Sequence, residues 1–357
     1  MLYPIILAID TSCDDTSVAI TQGLKVLSNV IASQEEIHRQ YGGVMPLMAK
    51  LAHNDLINPT FETALKRAKI KKENIDAIAV TIGPGLAIAL EVGIEFAKNL
   101  SLELGKPLIA ANHMMGHLFS SWAVNSKNKT EDELLTSLLE NDQKIFPALA
   151  FLTSGGHTDL VLVKNIKEVE IVGQTIDDAA GEALDKFARL LDLGYPGAAI
   201  LEQMAKDGNS TAFNFPLPMT QADNLDFSFS GMKTAGRQQI EKILQNQQKL
   251  TKQNIYDLSA SFQQAVIKAL IYKLKRAVAK YQIKSLWLGG GVVNNTEYRK
   301  QIRQFCQQNN LILKFPYIKK LMSDNGAMIG VAAYFQYLDK KFVKDFPTLQ
   351  RIPRMKI

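Results

Sequence analysis

The chain has only two cysteines, Cys13 and Cys306, among its 357 residues. Two thiols cannot build a disulfide scaffold, and they are compatible with a reducing compartment. Apolar runs are short as well, because none approaches the roughly 20 residues that a membrane-spanning helix needs. The opening stretch MLYPIILAIDTS lacks a basic n-region and therefore predicts a first strand and not a signal peptide. Together these absences predict a cytoplasmic protein without a membrane segment.

Charge of either sign is moderate, with 41 Lys and Arg against 35 Asp and Glu and a net charge of +6. This excess permits a polyanionic partner such as nucleic acid without requiring one. Apolar residues make up 46% and charged residues 21%, which is typical of globular proteins. The length is sufficient for two lobes, each with its own core.

Two hairpin patterns about 140 residues apart organise the chain. The stretch IILAIDTSCDDTSVAITQG and the stretch PALAFLTSGGHTDLVLV each predict a strand, a turn and a second strand. Helical and strand patterns alternate around them, which favours α/β lobes with parallel-rich sheets. Helices are predicted at 55–67, 90–104, 177–193, 258–281, 295–308 and 324–337, and strands at 75–81, 107–111 and 285–290. The polar stretch 124–145 is typical of a linker or insertion, so we predict an N-terminal lobe at 1–142 and a C-terminal lobe at 143–357, with the last helix packing back on the first lobe.

His113 and His117 stand four residues apart in NHMMGH, and a helix would place both imidazoles on one face. This spacing is compatible with a metal site and equally with two partly buried core histidines. A zinc peptidase would need a glutamate beside the first histidine as general base, but Met114, Met115 and Gly116 stand between the two. Asp324 in MSDNGAM is a candidate third ligand or a helix N-cap. An N,N,O ligand set would suit iron(II) or zinc.

Three glycine-rich turns follow strands: GPGLA at 83–87, TSGGHT at 153–158 and LGGGVVNN at 288–295. Backbone N–H groups in such turns can approach phosphate oxygens, so three of them predict a nucleotide-like ligand, although each one could be only a tight turn. Among the acids, Asp177 or Asp178 could cap the following helix, with Glu182 and Asp185 one face onward. Asp185 could accept hydrogen bonds from a ribose or an amine, or it could simply face solvent. Asp10 ends the first strand, where a cleft carboxylate or a core-edge residue is expected.

Nine segments in one order resemble the tRNA N6-adenosine threonylcarbamoyltransferases over nearly the whole chain. They are IDTSCDDTSVAI, ASQEEIHRQYGGVMP, TIGPGLA, NHMMGH, TSGGHTDLVLV, TIDDAAGEALDKFARLLDLGYPG, FSFSGMKTA, LGGGVVNN and SDNGAMIG. The resemblance implies an α/β fold of two actin-like (ASKHA, sugar-kinase-like) lobes with an interlobe ligand cleft. It implies metal ligation by His113, His117 and Asp324. It also implies contacts to threonylcarbamoyl-AMP through Thr153, Ser154, Gly155, Gly156, His157, Asp185 and Asn295.

The implied reaction moves a threonylcarbamoyl group from threonylcarbamoyl-AMP to N6 of adenosine 37, in tRNAs that read codons starting with A. The implied cofactor is one divalent metal, iron(II) or zinc, and the implied partners are a non-catalytic paralogue and a small P-loop ATPase. Asp10 is our candidate for accepting the proton of the amine. The chain departs from the family pattern at Leu47, Leu51, Met115 and Ala198, and it carries Asp10 where glutamate is more frequent. A non-catalytic scaffold and, less consistent with the residues, a metallopeptidase remain as alternatives.

Overall fold

The computed structural model describes residues 3–127 and 131–357 and divides into two compact units. The first unit holds Met1–Asp142, Trp287–Gly289 and Lys314–Ile357, and the second holds Gln143–Leu286 and Gly290–Leu313. The strands are β1 (Ile5–Asp10), β2 (Asp15–Gln22), β3 (Lys25–Ser33), β4 (Ala77–Gly83), β5 (Leu108–Asn112), β6 (Val124–Asn125), β7 (Ala148–Thr153), β8 (Thr158–Asn165), β9 (Glu168–Gln174), β10 (Ser285–Gly289) and β11 (Ile312–Lys314). The helices are α1 (Glu35–Arg39), α2 (Pro46–Ala68), α3 (Ala87–Leu104), α4 (His113–Ser120), α5 (Glu131–Leu139), α6 (Ala180–Leu190), α7 (Gly197–Ala205), α8 (Ser230–Asn246), α9 (Lys252–Tyr281), α10 (Thr296–Gln308) and α11 (Gly326–Leu338).

The predicted α/β class is confirmed, and the sheets are mixed: in the first sheet the pairs β4–β5, β1–β4 and β3–β6 are parallel and the other two are antiparallel. The first sheet has the order β5-β4-β1-β2-β3-β6, in which β1 pairs antiparallel with β2 and parallel with β4. The second sheet has the order β11-β10-β7-β8-β9, and β7, β8 and β9 pair antiparallel. Both predicted hairpins are present, as β1–β2 and as β7–β8. Among the described residues, no helix is long and apolar enough to cross a membrane.

Helix α11 packs directly on the first sheet because two of its glycines face the strands. A Cβ on Gly326 would lie 2.8 Å from the Ala8 carbonyl oxygen, and one on Gly330 would lie 2.5 Å from Thr21 Oγ1. The four-residue spacing places both glycines on one helix face. This close approach brings the residues just before α11 to the end of β1, where Asp10 lies.

All six predicted helices are present, but their bounds shift, and α9 begins at Lys252, six residues before its predicted start. The shifts of α2 and α6 have clear structural causes. Helix α2 begins at Pro46, nine residues before the predicted start, because proline at the first helical position needs no hydrogen-bond partner for its nitrogen. Its first turns carry the exposed Leu47 and Leu51, which obscure the amphipathic pattern. Helix α6 begins at Ala180, and neither preceding aspartate caps it. Instead the Ala180 N–H donates to Thr158 Oγ1 at 2.9 Å, a contact between residues 22 positions apart.

The polar stretch 124–145 is not an unstructured linker over its described residues. It contains β6, which pairs with β3, and helix α5. The buried Glu131 accepts a hydrogen bond from the Leu24 N–H at 2.7 Å and forms an ion pair with Lys25 Nζ at 2.8 Å. The polar composition of residues 124–145 therefore reflects one hydrogen-bonded buried carboxylate and an exposed helix face. Composition alone does not distinguish these from a linker.

The C-terminal tail, residues 343–357, lies along the ends of β4 and β5. The Ile352 N–H donates to the Ile82 carbonyl at 2.7 Å, and the Gly85 N–H donates to the Pro353 carbonyl at 3.2 Å. Phe346, Leu349 and Met355 pack against the core of the first unit. A Cβ on Gly83 would lie 1.9 Å from the Ile352 carbonyl oxygen, so glycine is required where the tail crosses β4.

We therefore expect Gly83→Ala to displace the tail. A backbone oxygen cannot move away as a side chain can, and overpacking of this kind costs about 1–3 kcal/mol. Limited trypsin digestion, with cleavage at Arg351 and Arg354, measures the release. Resistance equal to that of the unchanged protein would contradict this account of Gly83.

Candidate active site

Helix α4 carries both candidate imidazole ligands. His113 is its first residue and His117 follows one turn later, so the two buried rings meet edge to face with centroids 4.7 Å apart. Asn112 caps the helix, because its Oδ1 accepts from the N–H groups of Met114 at 2.8 Å and Met115 at 3.1 Å. Gly116 packs against α11, where a Cβ would lie 2.9 Å from Ile329 Cδ1. Gly116, one of the three residues between the histidines, therefore serves helix packing and offers no catalytic carboxylate.

Asp324 meets the two histidines from the loop before α11. Its Oδ1 lies 3.1 Å from His117 Nε2 and 3.5 Å from His113 Nε2. The alternative reading of Asp324 as a helix cap is wrong, because Asn325 caps α11 by accepting from the Met328 N–H at 3.0 Å. Asp324 is consequently available to the histidines.

The electrostatics of these three residues are strongly coupled. Burial opposes ionisation of Asp324, but His113 and His117 hold the pKa of this carboxyl well below its usual range. Burial also opposes protonation of His113, but the carboxylates of Asp324 and Asp10 outweigh it and raise the pKa of the imidazole to about 10. His113 and the half-buried Asp324 thus favour each other's charged forms, with the buried His117 beside them.

The donor set fits a divalent transition metal. One ligand atom from each of His113, His117 and Asp324 lies within 4.8 Å of the others, so a single ion could contact all three. Two imidazole nitrogens and one carboxylate oxygen leave open coordination positions and suit iron(II) or zinc. The buried Nδ1 atoms of both histidines lack a hydrogen-bond partner within the described chain. The carboxylate of Asp10 is near one of these atoms, with its Oδ2 3.5 Å from His113 Nδ1.

Asp10 is enclosed by the protein. Asp10 is the last residue of β1 and is 1% exposed. Its Oδ1 accepts a hydrogen bond from the Ser12 N–H at 3.3 Å. One oxygen thus faces the backbone and the other faces His113. A carboxylate beside a metal-binding histidine commonly orients the ring, and this arrangement favours that role for Asp10. Its proposed action as proton acceptor stays a prediction.

The expected phosphate-binding role of the GPGLA turn is wrong. The Gly85 N–H donates to the Pro353 carbonyl, and the Leu86 N–H donates to the Ser12 carbonyl at 2.7 Å. A Cβ on Gly85 would lie 2.5 Å from the same Ser12 oxygen. These glycines therefore allow the C-terminal tail and the β1–β2 turn to approach, and the N–H groups of Gly85 and Leu86 are already used.

The SGGH turn between β7 and β8 has the opposite character. Thr153 is buried at the end of β7, and the turn is closed by the Ser154 N–H donating to the His157 carbonyl at 2.8 Å and the His157 N–H donating to Ser154 Oγ at 3.1 Å. Gly155 and Gly156 are exposed, and a Cβ on either would meet no atom within 4 Å. Their N–H groups make no hydrogen bond within residues 3–127 and 131–357. Packing does not demand these glycines, but the close approach of a ligand would.

Two other segments of the second unit pack on this turn. The Gly181 N–H at the start of α6 donates to the Ser154 carbonyl at 3.2 Å, and a Cβ on Gly181 would lie 2.6 Å from that oxygen. Gly290, in the LGGG turn, has φ of 94° and no room for a Cβ, which would lie 2.4 Å from the Thr153 carbonyl oxygen. The SGGH turn, the LGGG turn and the positive end of α6 thus lie together.

Asp185 and Asn295 both hold backbone in place. Asp185 Oδ1 accepts from the Ala198 N–H at the start of α7 at 2.6 Å, and burial raises the pKa of the carboxyl. Asn295 caps α10 by accepting from the Tyr298 N–H, and its amide donates to Gln263 Oε1 at 2.7 Å. Their predicted contacts with a ligand stay predictions.

The acidic residues around α6 have structural partners. Asp177 does not cap α6 but accepts hydrogen bonds from Ser228 Oγ and Ser230 Oγ, each at 2.6 Å, at the start of α8. Asp178 and Glu182 both pair with Lys186, at 2.6 Å and 2.9 Å. The partners of Asp177 lie about 50 residues away along the chain, so local sequence did not indicate its role.

Comparison with known proteins decides the family. The profile of the tRNA N6-adenosine threonylcarbamoyltransferase family matches residues 25–331. The chain belongs to this family. It is 42% identical over 355 residues to the tRNA N6-adenosine threonylcarbamoyltransferase of Thermosipho africanus (strain TCF52B), covering 99% of this chain and 100% of the relative. The family enzyme of Christiangramia forsetii (strain DSM 17595 / CGMCC 1.15422 / KT0803) is 41% identical over 348 residues, covering 97% and 96%.

Solved structures confirm the actin-like, sugar-kinase-like class of fold. Full-length HypF in its phosphate- and nucleotide-bound form aligns with a TM-score of 0.58 at 12% identity, covering 94% of this chain and 46% of that one. Component A of the (R)-2-hydroxyglutaryl-CoA dehydratase of Acidaminococcus fermentans aligns with a TM-score of 0.51 at 12% identity, covering 95% and 100%. At such low identity these likenesses concern the fold alone.

A buried carboxyl beside the SGGH turn makes stability depend on pH. Asp159 on β8 is 7% exposed, and burial raises its pKa from 3.8 to about 6. The folded protein thus binds this proton more tightly than the unfolded chain does. The stability that protonated Asp159 contributes is therefore fully present below about pH 4 and is lost as pH rises through about 6. We expect Asp159→Asn to stabilise the protein by about 2–3 kcal/mol above pH 7 and to have no effect near pH 4. Urea unfolding at both pH values measures this, and an equal effect at both would contradict it.

Proposed function

We propose that this protein transfers the threonylcarbamoyl group from threonylcarbamoyl-AMP to N6 of adenosine 37, in tRNAs that read codons starting with A. Membership of the family supports a transferase acting on tRNA. One structural observation carries the finer statement: the side chains of His113, His117 and Asp324 converge although Asp324 lies more than 200 residues from the histidines. A degenerate scaffold would not need to keep such a donor set.

The candidate metal site would use His113, His117 and Asp324 as ligands, with Asp10 orienting His113. A divalent ion held there, with iron(II) preferred over zinc, would polarise the carbamoyl group and fix its position. Two of the ligand atoms would come from buried histidines on α4, and the third would come from the half-buried Asp324, which already lies beside both imidazoles.

The SGGH turn is the proposed binding site for the adenylate. The unbonded N–H groups of Gly155 and Gly156 would donate to phosphate oxygens and stabilise the negative charge that the AMP leaving group acquires. The N-terminal end of α6, which contacts the turn through Gly181, adds a favourable dipole for an anion. Asp185 and Asn295 would complete the site by holding the starts of α7 and α10 and contacting the nucleoside.

The acceptor amine is a weak nucleophile because its lone pair is delocalised into the purine ring. Its base would have to leave the anticodon loop to react, as single-stranded RNA bases can, while basic surface residues hold the flanking phosphates. We further propose a cytoplasmic location and assistance by a non-catalytic paralogue and a small P-loop ATPase.

Reconstitution tests this proposal. The protein is incubated with threonylcarbamoyl-AMP, iron(II) or zinc, and a tRNA transcript carrying uridine 36 and adenosine 37, with and without the two helper proteins. A matched transcript carrying guanosine at position 37 is the control. Mass spectrometry should detect threonylcarbamoyladenosine only with adenosine 37. Absence of product even with helpers and bound metal would overturn the proposal.

A further inference from the structure

The end of the C-terminal tail contacts the residue that precedes the histidine helix. The Lys356 carbonyl accepts a hydrogen bond from Asn112 Nδ2 at 2.9 Å, and Asn112 is 6% exposed. The other end of the same carboxamide accepts from Met114 and Met115 in the first turn of α4. Asn112 therefore joins the tail to the helix that begins with His113.

The orientation of this carboxamide is dictated by its neighbours. The backbone N–H groups of Met114 and Met115 are donors and require the amide oxygen, so the NH₂ group must point toward the Lys356 carbonyl. Without that carbonyl, the buried NH₂ group would lack this acceptor, which is costly in a site of low exposure. The tail and the helix cap thus stabilise each other through one side chain.

The Lys356 carbonyl is itself held firmly. Hydrogen bonds fix Ile352 on β4 and Pro353 on the GPGLA turn, and Met355 packs on the core. These contacts depend on residues well separated along the chain from α4. The tail lies beyond residue 331, where the family profile ends.

We propose that Asn112 and the Lys356 carbonyl form a clasp that positions the first turn of α4, and with it His113, for metal binding. Asn112 is a positioning residue in this proposal and does not contact the ion. The inference rests on the proposed metal site for its functional consequence, but the clasp itself can be tested without metal.

Four full-length or nearly full-length variants, one of them a control, separate the clasp from helix capping. Asn112→Ser keeps a good N-cap but cannot reach Lys356. Deletion of residues 355–357 removes the acceptor and leaves Asn112 intact, whereas deletion of Ile357 alone keeps the Lys356 oxygens and is the control. The double variant combines Asn112→Ser with the deletion of 355–357.

Metal affinity is measured by titrating the metal-free proteins with iron(II) under anaerobic conditions and with zinc. We expect Asn112→Ser and the longer deletion each to weaken binding about tenfold, the lower end for supporting contacts at metal sites. The double variant should lose little more than either single variant, because both remove the same bond. Unchanged affinity, or losses that simply add, would overturn the inference.

A second measurement needs no ion. Amide hydrogen exchange of His113–Met115 in metal-free protein should be faster in Asn112→Ser and in the deletion of 355–357. Exchange of Gly326–Met328 in α11 should match the unchanged protein. If the unchanged protein binds neither metal, the proposed metal site fails, but exchange still decides the clasp. Faster exchange at α4 supports it, and unchanged exchange overturns it.

Discussion

Asp324→Ala is expected to abolish metal binding and transfer activity. The substitution removes the carboxylate that approaches both Nε2 atoms and leaves only two imidazoles. Loss of a direct ligand should exceed the roughly 10–100-fold loss in affinity that follows removal of a supporting contact. Metal content after dialysis and the rate of threonylcarbamoyladenosine formation measure the two effects.

The matched controls are Asp55→Ala and Asp324→Asn. Asp55 is exposed on α2, so its removal should change neither metal content nor rate. Asp324→Asn keeps an oxygen donor but loses the charge, and we expect intermediate affinity. Full activity of Asp324→Ala with no metal bound would contradict a metal-dependent transfer.

Replacing both SGGH glycines with alanine should reduce activity about 100-fold without lowering stability. A Cβ on Gly155 or Gly156 meets no protein atom within 4 Å, so the fold accommodates both methyl groups. The methyl groups would occupy the space that a phosphate needs to reach the N–H groups, and loss of one such donor costs roughly 100-fold or more. Thermal unfolding and steady-state kinetics with threonylcarbamoyl-AMP measure the two properties separately.

Gly105→Ala provides the opposite pattern as a control. Gly105 ends α3 with φ of 61°, a conformation that alanine adopts only with strain, and it has open space around it. We expect it to lose about 1 kcal/mol of stability and to keep its activity. A stability loss in the SGGH variant like that of Gly105→Ala would indicate a structural role for those glycines.

The sequence alone determined the features that depend on neighbouring residues. Alternation of apolar residues indicated both hairpins, and Gly105 marked the end of α3 because only a few residues adopt a left-handed C-cap readily. The spacing of His113 and His117 placed two imidazoles on one helix face. The ordered motifs indicated the family, which the comparisons confirmed.

Other features were decided by contacts between distant residues, which local pattern does not record. Asp324 and Asn325 are both good capping residues in the sequence, and only the packing of α11 on the first sheet assigned the cap to Asn325 and directed Asp324 to the histidines. GPGLA and SGGH are both glycine-rich turns after strands. The tail and the β1–β2 turn use the N–H groups of Gly85 and Leu86 in the first, whereas those of Gly155 and Gly156 in the second make no hydrogen bond within the described residues. Sequence specified which backbone conformations were possible, but tertiary packing determined which polar groups were already satisfied and which could bind a ligand.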